Sequence, residues 1–131
     1  MKKTNILIAE DNLDSQSLLQ TILESEGFIV TTASDGEKAI EILQEIKPDI
    51  LVTDLKLPSG RGGDLIRHVR RTAELSRIPI VVISAYGDHY EADALAAGAN
   101  VVLKKPLDSN VLVDAILRLK AARGDVTRPE A

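Results

Sequence analysis

Five short apolar runs recur along the chain, and apolar residues at helical spacing fill the intervals between them. The first run is Asn5-Ile6-Leu7-Ile8-Ala9, and it ends on Glu10-Asp11. The second, residues 28–33, is more polar and reads as an edge strand. The third, Ile50-Leu51-Val52-Thr53, ends on Asp54. The fourth is Pro79-Ile80-Val81-Val82-Ile83, ending on Ser84-Ala85, and the fifth is Val101-Val102-Leu103, ending on Lys104-Lys105-Pro106. Continuous apolar runs of this length predict strands buried on both faces.

Five helices are predicted between and after these strands. Asn12 is placed to cap the first, Leu18, Leu19, Ile22 and Leu23 form its stripe, and Gly27 ends it. Ser34 and Glu37 have capping-box spacing ahead of a second stripe, Ala39, Ile40, Leu43 and Ile46, which Pro48 stops. A third helix covers residues 64–71 with Leu65, Ile66 and Val69 inward. The fourth is short and Ala-rich, residues 92–97, with Asp88 and Glu91 at capping-box spacing before it and Gly98 closing it. Asp108 or Ser109 caps the last, whose stripe is Leu112, Ala115, Ile116 and Leu119. Strand and helix alternate five times. The expected fold is therefore α/β: a flavodoxin-like, doubly wound (βα)5 domain with a five-stranded parallel sheet in the order 2-1-3-4-5. Its crevice would open between strands 1 and 3, the two that end in acids.

Composition narrows the classes. The 131 residues fit one domain, residues 1–123, with residues 124–131 as a polar, flexible C-terminal tail. Met1 suggests a native start, and the tail could begin a linker. No run of 18 apolar residues offers a membrane span, and the N-terminus lacks the apolar region of a signal peptide. Cysteine is absent, which excludes disulfides and thiolate metal sites and fits a cytoplasmic protein. A net charge of -4 and three aromatic residues, Phe28, Tyr86 and Tyr90, argue against direct nucleic-acid binding.

The strand ends carry the chemistry. With strands 1 and 3 adjacent, Glu10, Asp11 and Asp54 share one crevice. Like charges that close are costly unless one takes up a proton or a cation sits among them. An all-oxygen donor set with no His or Cys beside it suits Mg²⁺ rather than zinc. Ser84 brings a hydroxyl, Ala85 a backbone N–H, and Lys104 or Lys105 an ammonium. Together these make a receptor for a phosphoryl group, with the central carboxylate as its covalent acceptor.

Over about residues 5 to 122 the chain resembles the receiver domains of bacterial two-component response regulators. The motifs are Ile8-Ala9-Glu10-Asp11-Asn12, Asp54-Leu55-Lys56-Leu57-Pro58 with Gly62, Ser84-Ala85, Gly98-Ala99 and Lys105-Pro106. The resemblance implies that Asp54 is phosphorylated by a histidine kinase or histidine phosphotransfer protein. It implies that Mg²⁺ is held by Asp11, by Glu10 mainly through water, by Asp54 and by the backbone carbonyl of Lys56. It assigns the hydroxyl to Ser84, the amide to Ala85 and the ammonium to Lys105 rather than Lys104, with a cis bond before Pro106. The modified state would be read by a downstream protein through the fourth helix, fifth strand and fifth helix, as a monomer or a phosphorylation-dependent dimer. The acyl phosphate would be hydrolysed slowly by the domain itself, which is otherwise not an enzyme. Two positions depart from the pattern: Val102 stands where receivers usually carry Tyr or Phe, and Leu107 replaces a frequent Phe.

Other readings are weaker. A haloacid-dehalogenase-type phosphatase would need an acid two residues after the nucleophile, where this chain has Lys56. A flavodoxin would need a hydroxyl-rich phosphate loop where it has Glu10-Asp11. The glycines at 60, 62 and 63 lack the Lys and Ser/Thr of a P-loop. His68 and His89 fit helix-surface or capping roles, and Tyr86 and Lys56 flank the site. A receiver taken from a larger regulator or hybrid kinase would carry the same motifs.

Overall fold

Alternation of β-branched runs and amphipathic segments resolves into ten elements. In chain order they are β1 (Asn5–Ala9), α1 (Leu13–Ser25), β2 (Ile29–Ala33), α2 (Gly36–Glu45), β3 (Ile50–Asp54), α3 (Gly62–Arg71), β4 (Ile80–Ser84), α4 (Asp88–Ala97), β5 (Val101–Lys104) and α5 (Ser109–Ala122). The computed structural model describes residues 3–55, 62–85 and 88–122. All strand pairs are parallel, in the order β2-β1-β3-β4-β5. That is the flavodoxin-like order expected from the sequence. No helix among the described residues is long and apolar enough to cross a membrane.

Alternate strand residues face opposite sides of the sheet. Leu7, Leu51, Ile80 and Val82 pack with Ala39, Leu43, Leu65, Ile66, Val69 and Ala94 of α2, α3 and α4. Ile6, Ile8, Ile50, Val52, Val81 and Ile83 pack with Leu19 and Leu23 of α1 and Leu112 and Ile116 of α5. The sheet is thus covered on both faces. Its three central strands are buried almost throughout, while β2 and β5 at the edges are only half-buried.

Helix ends follow local chemistry. Asn12 Oδ1 accepts from the Ser15 N–H at 2.9 Å, as expected of a cap. At the other end of α1, Gly27 has φ +93°, its N–H bonds to Glu24 O, and the Phe28 N–H reaches back to Leu23 O. This is a Schellman end, closed by the apolar pair Phe28 and Leu23. Four details differ from the sequence reading. The cap of α2 is Asp35, whose carboxylate accepts from the Lys38 N–H at 2.7 Å, not Ser34. Leu18 is 62% exposed, because Leu19 and Leu23 take the inward stripe of α1. Ile46 caps the end of α2 and is partly exposed. α4 begins at Asp88, four residues earlier than its Ala-rich stretch suggested, so Asp88 opens the helix. Of the two candidates for capping α5, Asp108 does so: its Oδ1 accepts from the Asn110 N–H at 2.8 Å.

Candidate functional site

Strand register brings the sequence-predicted residues to one edge of the sheet. Ala9 of β1 pairs with Thr53 of β3, so Glu10 and Asp54, each one residue on, stand side by side. Asp54 in turn pairs with Ile83, and Ser84 with Lys104. Carboxylate oxygens of Glu10, Asp11 and Asp54 lie within 4.8 Å of one another.

Glu10 is the buried member, 2% exposed. Its backbone is fixed from both sides: its N–H donates to Ala33 O at 2.9 Å, and its carbonyl accepts from Gln16 Nε2 at 3.0 Å. Its carboxylate accepts from the Asn12 N–H at 3.1 Å. Burial pushes the Glu10 pKa above the ordinary carboxylate value, and the charges of Asp54 and Asp11 add to this against the Asn12 N–H and Lys105. Asp11 is exposed. Asp54 sits at the mouth, and Thr53 Oγ1 donates to its backbone carbonyl at 2.9 Å.

Lys105 answers the cluster. Its Nζ lies 3.2 Å from Asp54 Oδ2 and 3.6 Å from Glu10 Oε1. Burial pulls its pKa down, but its hydrogen bonds and charge pairing with Asp54 and Glu10 outweigh this and hold it above the ordinary lysine value. Lys104 points elsewhere and pairs with Glu91 at 3.9 Å. Of the two lysines it is Lys105, one residue past the end of β5, whose ammonium stands beside Asp54 and Glu10. The Lys105–Pro106 bond is cis, as the motif implied. Ser84 is buried at the end of β4 and Ala85 is exposed beside it. Val102 is half-buried against the cluster that includes Ala94. Lys56, Tyr86 and the side chain of His89 lie outside the described residues.

Gln16 and Thr53 were not singled out by sequence. Gln16 lies in the first turns of α1, and only helical geometry reveals that it turns back onto Glu10. Thr53 reads as one more β-branched strand residue.

Fold and site together define a class: a doubly wound domain with three acids and a lysine gathered at its topological switch point. The model of the response regulator receiver domain family matches residues 6–117, and the chain belongs to that family. It is 33% identical over 114 residues to an uncharacterized 14.6 kDa protein of Leptolyngbya boryana, covering 86% of this chain and 87% of that one. It is 38% identical over 117 residues to the phosphate regulon transcriptional regulatory protein PhoB of Rhizobium meliloti, covering 86% of this chain and 52% of that one. Among solved structures it resembles the receiver domain of sensor histidine kinase PA1611 from Pseudomonas aeruginosa PAO1, which has a magnesium ion coordinated in its active site cleft. There the TM-score is 0.86 at 28% identity, covering 92% of this chain and 99% of that one. The chain spans about half the length of the transcriptional regulators it matches, and 13% of a sensor histidine kinase.

Proposed function

We propose that this receiver is a phosphorylation-dependent switch or relay, with Asp54 taking a phosphoryl group from a phosphohistidine of a histidine kinase or histidine phosphotransfer protein. The observation that carries this reading is the setting of the Asp54 carboxylate. It ends a buried central strand, faces Lys105 at 3.2 Å, and shares a crevice with Glu10 and Asp11.

An Asp54 oxygen attacks phosphorus as the P–N bond breaks. The imidazole leaves with that electron pair, its other nitrogen protonated. Lys105 then pairs with a phosphoryl oxygen, the Ser84 hydroxyl donates to a second, and the Ala85 N–H to the same group. Slow attack by water on the acyl phosphate restores Asp54 and frees inorganic phosphate. The donor set is all oxygen and short of positive charge, which suits a hard divalent cation. Asp11, Asp54 and the backbone carbonyl of Lys56 would hold Mg²⁺ directly and Glu10 through water. Bound there, it would offset the charge of the acids and of the phosphoryl oxygens. The magnesium ion in the active site cleft of the related PA1611 receiver supports the choice of cation.

Phosphorylation replaces the single negative charge of the Asp54 carboxylate with a phosphoryl group carrying about -2 beside Ser84 and Lys105, and biases the elements that follow them in the chain. α4 and α5 carry the exposed apolar residues Leu95, Val111 and Leu117, and a downstream protein would read the switch through the α4-β5-α5 face. In a longer regulator or hybrid kinase the same switch would act on a neighbouring domain.

Intact mass after incubation with acetyl phosphate and Mg²⁺ tests the reading. Wild type is expected to gain one phosphoryl group, and Asp54→Asn none. A gain in both proteins, or none in wild type even with a phosphorylated histidine kinase as donor, overturns it.

A further inference from the structure

One side chain ties the end of α4 to the body of the domain. Arg70 lies near the end of α3, and its guanidinium makes four hydrogen bonds. Nε donates to Gly98 O at 2.9 Å, one terminal nitrogen to Ser76 O at 3.0 Å and Ile78 O at 2.7 Å, and the other to Asn100 Oδ1 at 2.8 Å. These acceptors belong to the α3–β4 connection, the end of α4 and the turn into β5. Asn100 extends the tie: the same Oδ1 accepts from the Ile80 N–H at 2.8 Å, and the Asn100 N–H donates to Ile80 O at 2.9 Å. Gly98, at φ +123°, closes α4 with the Gly98 N–H on Leu95 O and the Ala99 N–H on Ala94 O. A Cβ at Gly98 would stand 2.7 Å from Arg70 Cγ, so the two segments are in contact. Among the described residues no carboxylate lies within ion-pair distance of Arg70. Its charge is spread over neutral oxygens instead, and burial lowers its pKa. A partly desolvated guanidinium satisfied in this way is costly to release, because each broken bond leaves a polar group unpaired.

The described side chains in the rest of α4 are held weakly. Of its side chains at 91–97 only Ala94 is fully buried, and Leu95 is 45% exposed. An alanine gives up little apolar surface on packing, so shifting the helix body forfeits little. The chain enters α4 shortly after Ser84 and Ala85.

We propose that Arg70, through Gly98 and Asn100, fixes the C-terminal end of α4 as a pivot, so that phosphorylation of Asp54 moves the N-terminal half of the helix and leaves its C-terminal end in place. The proposal rests on the reading of Asp54 as phosphoryl acceptor. Arg70 is then a positioning residue for the switch. The surface that changes for a partner is the N-terminal part of α4.

Amide hydrogen exchange read by NMR tests this, with and without Mg²⁺ and beryllofluoride, a stand-in for the phosphoryl group. Phosphorylation by acetyl phosphate is checked by intact mass on the same preparations. In wild type the amides of residues 91–93 are expected to change at least fivefold on loading, and those of Gly98, Ala99 and Asn100 less than twofold. Arg70→Met is expected to accelerate exchange at 98–100 at least tenfold and to spread the loading response to them. Asn100→Asp keeps the acceptor and adds a charge for Arg70, so exchange at 98–100 is expected to slow severalfold. That response requires the tie and would not follow from damage to the fold. Should Arg70→Met fail to fold, Asn100→Asp and Arg70→Lys carry the test, the lysine falling between wild type and methionine. Phosphorylation with equal responses at both ends of α4 in wild type overturns the pivot alone. So does normal exchange at 98–100 in a folded Arg70 variant. Absence of any phosphoryl gain overturns the reading of Asp54 and the pivot with it.

Discussion

Lys105 holds carboxylates from two different strands, Asp54 of β3 and Glu10 at the end of β1. Removing it leaves the buried Glu10 facing Asp54 with no cation between them. Breaking a fully buried pair costs roughly 3–5 kcal/mol. Lys105 is a third exposed, so Lys105→Met is expected to cost about 1–2 kcal/mol at neutral pH in chelator, once solvent screening is allowed for. Mg²⁺ would replace much of the missing charge, so this variant should gain more stability from Mg²⁺ than wild type does. Equal gains in urea titrations would contradict the placement of Lys105 beside the ion. Asp54→Asn has the opposite sign. It removes one of three crowded acids, so the metal-free protein is expected to be more stable than wild type and to respond less to Mg²⁺. A fall in metal-free stability would show that the Asp54–Lys105 pair outweighs the repulsion among the acids.

Helix ends in this domain differ in what surrounds them, and the two positive-φ glycines separate the effects. No atom lies within 4 Å of a Cβ built at Gly27, whereas one at Gly98 collides with Arg70. Gly27→Ala is expected to cost about 1–2 kcal/mol from backbone conformation alone. Gly98→Ala should cost more, and part of the excess should vanish in the double variant with Arg70→Ala, measured by thermal melts. Both glycines were legible in the sequence as helix ends, because a polar turn after an apolar stripe signals one. The role of Arg70 was not legible, since its acceptors are mainly backbone carbonyls, which no side-chain pattern marks. Burial was readable where the stripe was unambiguous, as in Leu65, Ile66 and Val69. It failed at Leu18, where two adjacent leucines competed for one inward position. The start of α4 was missed because among its described side chains only the small Ala94 is fully buried, which sets no apolar phase. Ser34 lost the cap of α2 to its neighbour Asp35, and both residue types suit that role equally. The acid and lysine constellation was legible because each member sits at a strand end, where parallel topology converts spacing in sequence into proximity in space. The residues alone left Lys104 and Lys105 open; the Lys-Pro motif pointed to Lys105, whose ammonium the structure places beside Asp54.

The whole molecule carries the cost of its acidic crevice as a dependence of stability on pH. Glu10 ionises near 4.5 in the unfolded chain and at higher pH in the metal-free fold. Between those two values the folded state binds more protons than the unfolded state. Stability contributed at this site therefore falls as pH rises from about 4.5 through the raised value, and is level above it. Lys105 contributes no slope there, because its stabilisation is complete below the ordinary lysine value of 10.5 and is lost only as pH rises through its own raised value. Comparing wild type with Glu10→Gln isolates the effect from other titrating groups. In chelator, the stability of wild type relative to the variant is expected to decline with rising pH across this window. A flat or rising difference would show that Glu10 is not disfavoured as an anion. A cation that binds the ionised cluster reverses the balance, because it stabilises only the fold that assembles Glu10, Asp11 and Asp54. At a concentration 100 times its dissociation constant it would add about 2.7 kcal/mol. For a domain of this size that corresponds to roughly 10 °C in melting temperature. The gain from Mg²⁺ should therefore grow from acid to neutral pH in wild type and shrink when Asp11 or Asp54 is changed to Asn. The crowding that weakens the metal-free fold would then also be what makes it responsive to a cation and to a phosphoryl group.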